Sequence, residues 1–150
     1  MTLQERFIRN LRRFREDLNW TQEQLGSAMG SDRTVIGRYE RSSSRMNLER
    51  ADELARALGV DVRALLESPT TGPIVRRPPG GPVSSRQVGA KVKMMREAEG
   101  ITQQELGERI GMDRNHISRI EAQGDNVAAL QLSTLERLAA ALRVKPVDLL

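Results

Sequence analysis

The chain has no cysteine and one histidine, His116, among 150 residues. Disulfides and thiolate metal sites are excluded, and a histidine cluster cannot be built. Aromatic residues make up 3% of the chain, and its single Trp and single Tyr, Trp20 and Tyr39, both fall in the first half. Three lysines, Lys91, Lys93 and Lys145, leave 21 arginines among the 24 basic residues. The base composition of a GC-rich genome accounts for that bias at most positions. No apolar run approaches the ~18 residues of a membrane span, and the N-terminus lacks a signal-peptide pattern. The expectation is a cytoplasmic protein with no membrane partner. A net charge of +4 is spread thinly. Residues 1–66 carry 12 basic and 10 acidic groups, residues 67–85 carry 2 and 1, and residues 86–150 carry 10 and 9. Charge alone does not identify a nucleic-acid partner; placement of the charges must.

What the chain does have is a duplication. Residues Thr21 to Glu40 align without a gap on Thr102 to Glu121, and ten of the twenty positions are identical: Thr, Gln, Leu, Gly, Gly, Asp, Arg, Ile, Arg and Glu. With each domain near the lower size limit for an independent core, the repeat divides the chain into an N-terminal domain at 1–66, a linker at 67–85 and a C-terminal domain at 86–150. Five of the six prolines lie in the middle segment, with Pro78-Pro79-Gly80-Gly81-Pro82 at its centre. Such a composition favours an extended, semi-rigid spacer reaching on the order of 50 Å. Arg76 and Arg77 in this spacer either meet phosphate or simply keep it solvated.

Each half has the pattern of five helices. Thr2 with Glu5, and Thr21 with Gln24, are capping boxes, as is Thr102 with Glu105; Ser84 with Gln87 has the same spacing. Phe7, Leu11, Phe14 and Leu18 recur at helical spacing in the first helix. Gly100 suits the position after a helix, Gly30 and Gly111 suit tight turns that need positive φ, and Asp32 and Asp113 suit N-caps. A fourth helix is carried by Leu48, Leu54 and Leu58, or by Leu132, Leu138 and Leu142. A short fifth helix follows around Leu65-Leu66 or Leu149-Leu150, with Pro146 at a first helical position. The second half has three extra residues between its third and fourth helices, around Gly124-Asp125-Asn126.

Within the duplicated stretch, Gly26 and Gly107 provide the small residue where two helices approach, and Ile36 and Ile117 the apolar back of a third helix. Thr-Gln opening the second helix, Gly at the turn, Ile-x-Arg-x-Glu along the third and the leucine-rich fourth ending in Leu58-Gly59-Val60 together resemble the lambda-repressor-like (XRE, Cro-type) helix-turn-helix family. The resemblance covers nearly all of both halves and omits the linker. It implies an all-α fold: two small five-helix lambda-repressor-like DNA-binding domains joined by a Pro/Gly-rich linker. It further implies that the third helix of each enters the major groove of double-stranded DNA, presenting Arg33, Thr34, Gly37 and Arg38, and Arg114, Asn115, Ser118 and Arg119. Gln22 and Gln103 are then placed for backbone phosphate. Arg can donate two bonds to guanine and Asn can pair with adenine. The resemblance also implies internal ion pairs, Arg15 with Glu40 and Arg96 with Glu121. Gly37 is a departure, since glycine inside a helix costs about 1 kcal/mol relative to Ala.

The expected function is a sequence-specific transcriptional regulator, a repressor, reading two related half-sites. A protein-interaction module, in which one or both domains bind a protein regulator, is the alternative; steep salt dependence of DNA binding separates the two. Pairing of two chains through Leu149-Leu150 and closure of their own core both stay open. No nucleophile–base pair, metal cluster or glycine-rich phosphate loop stands in the sequence, so no enzyme activity and no cofactor are expected.

Overall fold

The computed structural model describes residues 1–41, 45–122 and 129–150, so the insertion around Gly124 lies outside the described residues. Those residues form an all-α protein that divides into two units, Met1–Pro82 and Val83–Leu150. The first contains α1 (Leu3–Asp17), α2 (Gln22–Ala28), α3 (Arg33–Glu40), α4 (Leu48–Ala57) and α5 (Val62–Glu67). The second contains α6 (Ser85–Glu99), α7 (Gln103–Ile110), α8 (Arg114–Glu121) and α9 (Leu132–Ala141). Its last element is a single 3-10 turn, Pro146–Leu149, where a fifth helix was expected. Proline stands at the first position of that turn, and the Asp148 side chain accepts from the Lys145 amide before it. None of the described helices is long and apolar enough to cross a membrane.

Helix starts follow local chemistry. Thr2, Thr21 and Thr102 each accept from the backbone N–H three residues on, and the Glu or Gln there returns the bond, closing a capping box. Ser84 accepts from the Gln87 amide at the start of α6. Asn47 caps α4 through Arg50, whereas Gln131 at the corresponding place on α9 makes no side-chain capping bond. The apolar stripes bury as their periodicity dictates. Phe7, Leu11, Phe14, Leu25, Ile36, Leu54 and Leu65 are fully buried in the first unit, and Val88, Val92, Leu106, Ile117, Leu132, Leu138 and Leu149 in the second. Leu150 is also buried, so the terminal leucine pair closes its own core.

Helix ends show the two copies solving one problem with different residues. After α1 and α6 the chain turns through a left-handed residue, Asn19 (φ 58°) or Gly100 (φ 72°). After α4 and α9 it does so at Gly59 (φ 74°) or Arg143 (φ 58°). At each end the amide of the next residue reaches back five positions to a carbonyl: Trp20 to Arg15, Ile101 to Arg96, Val60 to Ala55 and Val144 to Ala139. Asn tolerates this backbone; a long side chain such as Arg is strained there.

The Pro-rich segment is not a free spacer over its whole length. Arg13 donates to the carbonyls of Pro69 and Gly72. Arg76 donates to the carbonyls of Phe14 and Leu58, pairs with Asp17, and lies over the Phe14 ring at 5.6 Å. The Asp61 amide donates to the Arg77 carbonyl, the Gly80 amide donates to the Asp61 carboxylate at 2.8 Å, and Arg56 donates to the Gly80 carbonyl. Segment 69–80 is thus a strap along the first unit. The sequence did not show it because its anchors, Arg13, Arg56 and Asp61, are remote in the chain, and polar anchoring leaves no apolar periodicity in the segment itself. Arg76 and Arg77, open between phosphate and solvent on sequence grounds, are held here by Asp17 and Glu67.

Burial pushes the Asp61 carboxyl up, but the amides of Arg63 and Gly80 and the Arg63 guanidinium outweigh it and hold the group below the usual carboxylate range. Its folded pKa lies below an unfolded value of about 3.9. Its contribution is therefore complete above about pH 4 and is lost as pH falls through the folded value. The acid limb of first-unit stability, followed by Trp20 emission, is expected to become shallower in Asp61→Asn, which keeps a capping acceptor for α5; an unchanged limb refutes the assignment. Separately, Arg143→Gly is expected to stabilise the second unit by about 1 kcal/mol in urea unfolding, by relieving the left-handed strain; a loss of stability contradicts it.

Candidate nucleic-acid interface

The pair α2–α3 is set by a close approach that only glycine permits. A side-chain carbon at Gly26 would lie 2.9 Å from the Asp32 carbonyl carbon and oxygen, and one at Gly107 would lie 2.4 Å from the Met112 carbonyl oxygen. The glycines thus admit the backbone of the connecting turn, rather than a facing helix. The Ser31 and Met112 amides then donate to the Gly26 and Gly107 carbonyls. Asp32 accepts from the Val35 amide, and Asp113 from that of His116, starting the third helix of each unit at a fixed point.

A buried ion pair locks that helix to the first. Arg15 donates through Nε and a terminal nitrogen to the two oxygens of Glu40, at 2.7 and 2.8 Å, and its remaining terminal nitrogen donates to the Trp20 carbonyl. Arg96 does the same with Glu121, at 2.7 and 2.9 Å, and with the Ile101 carbonyl. The Glu side chains are only 4% and 3% exposed. Hydrogen bonding to the carboxylate holds both guanidiniums above their ordinary pKa, against the opposing effect of burial. Gln22 and Gln103 also turn their amide nitrogens onto these acids, at 3.5 and 3.2 Å. Both glutamines are half-buried. They stand at the first position of α2 and α7, beside the third helix, tied to its acid.

On the opposite face, Arg33, Thr34 and Arg38 of α3 and Arg114, Asn115, Ser118 and Arg119 of α8 are exposed. They fall at positions i, i+1, i+4 and i+5, one side of a helix. The four arginines make no hydrogen bond or ion pair with the described residues. Elsewhere Arg12, Arg50, Arg56, Arg63, Arg76, Arg77 and Arg109 each pair with an acid, while Arg9 and Arg143 make no pair with a described residue. Each third helix therefore keeps its one acid inside and its basic groups outside. In the second unit the α7 N-terminus and Arg114 border an open cleft of about 440 Å³, lined also by Thr102, Gln103 and Gln104.

Gly37 departs from its expected place on this face. It is buried, and the position a side-chain carbon would take lies 3.2 Å from Gln22 Oε1 and 3.7 Å from a terminal nitrogen of Arg41. Two longer side chains fill the gap that glycine leaves. Arg41 was not among the residues expected from sequence. It follows the last helical residue of the motif, and its counterpart in the other copy is Ala122. The available signal was helical spacing, since Arg41 stands four residues after Gly37 and three after Arg38. His116 is exposed on the flank of α8.

The helix-turn-helix family profile (HTH_3) matches residues 11–65 and 92–149. A hypothetical transcription factor of Neisseria meningitidis serogroup B is 38% identical over 60 residues, covering 40% of this chain and 57% of that protein. The chain thus spans little more than half the length of that relative. Among solved structures, a hypothetical transcription factor from Neisseria is similar at 32% identity and a TM-score of 0.39, over 45% of this chain and 75% of that one. A restriction-modification controller protein from Aeromonas hydrophila is similar at 29% identity and a TM-score of 0.38, over 44% and 91%.

Removing one member of a buried ion pair typically costs about 3–5 kcal/mol. Glu40→Ala is expected to lower the Trp20-reported unfolding transition by that amount. Glu121→Ala is expected to do so for the second unit in circular dichroism while leaving the Trp20 transition in place. A Trp20 transition that moves with Glu121→Ala shows instead that the units unfold together.

Proposed function

This chain belongs to the helix-turn-helix family, in two copies, and from that premise we propose that it is a double-stranded DNA-binding transcriptional regulator whose two units read related half-sites. The observation that carries this reading is the division of charge on α3 and α8. Each turns its glutamate inward onto a buried arginine and leaves its arginines outward and unpaired among the described residues. A surface helix stabilised by internal pairs has no use for that arrangement; a helix approaching a polyanion does.

In this reading Arg33 and Arg38, and Arg114 and Arg119, supply bidentate donors for guanine edges, and Asn115 supplies the donor–acceptor pair for adenine. Thr34, with Gln22 and Arg41 packed over Gly37, gives the first unit a different face from Asn115 and Ser118, so the half-sites are similar but not identical. Gln22 and Gln103, oriented by Glu40 and Glu121, meet backbone phosphate where the first turns of α2 and α7 expose amides. Arg41 adds a phosphate contact that the second unit lacks. In this proposal, occupation of an operator by the two units acts as repression.

Genomic fragments selected by the purified protein at near-physiological salt are expected to carry two similar half-sites. Arg33→Ala is expected to relax one and Arg114→Ala the other, each costing about 1–3 kcal/mol of discrimination. Arg41→Ala is expected to weaken binding evenly across sequences and to flatten the salt dependence by about one unit of slope. Uniform weakening by Arg33→Ala and Arg114→Ala makes these residues phosphate contacts only. Absence of any enriched sequence rejects direct readout.

A further inference from the structure

The chain left free between the two units is far shorter than the Pro-rich composition suggests. Gly80 is held on both sides, its amide by Asp61 and its carbonyl by Arg56. Val83 is buried and belongs to the second unit, and Ser84 caps α6. Only Gly81 and Pro82 stand between these anchored ends. Three residue steps span at most about 11 Å. A compact unit of this size is roughly 30 Å across. With the strap docked, this tether suffices for half-sites one helical turn apart, roughly 34 Å, and falls short of two turns. Undocking residues 69–80 adds about 40 Å of reach and makes two turns accessible.

We infer that the strap is a spacing ruler: by docking residues 69–80 on the first unit, Arg56, Asp61 and Arg76 restrict the protein to operators whose half-sites are one helical turn apart. They are positioning residues, engaged with the strap rather than part of α3 or α8, and they set which pairs of half-sites are bound together rather than which bases are read. The inference rests on the proposal that both units bind DNA. Its energetic content is avidity: a tether that cannot span two sites forfeits the gain from the second.

The test compares the wild type with a variant carrying about twelve Gly/Ser residues inserted between Gly81 and Pro82, a length that restores the reach of the undocked strap without touching its anchors. Each binds duplexes holding the two selected half-sites at one or two turns, and each half-site alone. The wild type is expected to bind the one-turn duplex about a hundredfold more tightly than the two-turn duplex. The insertion variant, and Arg76→Ala combined with Arg56→Ala, are expected to bring the two duplexes within a few-fold of each other. Because the chain lacks cysteine, Glu53→Cys with Lys93→Cys also permits spin labels on the intact protein without DNA. Their distance distribution is expected to be narrow in the wild type and broad in the insertion variant. A wild-type distribution as broad as the insertion variant's, or equal wild-type affinity for both spacings, overturns the ruler. Failure of either half-site alone to bind overturns the DNA reading instead, while the label distances still report whether the strap is docked.

Discussion

The contact on which each unit depends is a guanidinium held between two helices and a turn. Arg15 and Arg96 spend their donors on a glutamate of the third helix and on the carbonyl just after the first helix. The geometry is planar and bidentate, which lysine cannot reproduce. One side chain therefore sets the first helix, the entry to the second and the roll of the third about its own axis. Roll decides which residues face outward, so the composition of the outer face is fixed from inside the unit.

That arrangement resolves a chemical conflict in the motif. Glu40 and Glu121 would repel a polyanion if they lay on the surface, yet each belongs to a helix that carries arginines. The guanidinium of Arg15 or Arg96 neutralises the carboxylate inside the unit and keeps it off the surface. The glutamines at the second-helix starts then gain an acceptor that holds them against the third helix.

Much of this was legible in the sequence where the cause is local. The threonine capping boxes, the aspartate N-caps and the positive-φ glycines all follow from residue types at short fixed spacings, and all are present. Resemblance supplied the Arg–Glu pairs, which lie 25 positions apart and leave no periodic signal of their own. What was not legible depends on three-dimensional neighbours. Gly37 has an outward register but is covered by Gln22 and Arg41, side chains that come from before and after its own helix. The strap has the composition of a linker, and only remote donors show that it is docked.

The strap also bears on the order in which the protein is made. The carbonyls of Phe14 and Leu58 receive their donor from Arg76. Synthesis runs from the N-terminus, so the five helices emerge ahead of Arg76, and those two acceptors, with the open side of the Phe14 ring, await a residue that follows α5 out of the ribosome. The first unit reaches its finished state only when the segment that leads to the second has emerged. Completion of one unit is thereby tied to the emergence of the chain that leads to the other.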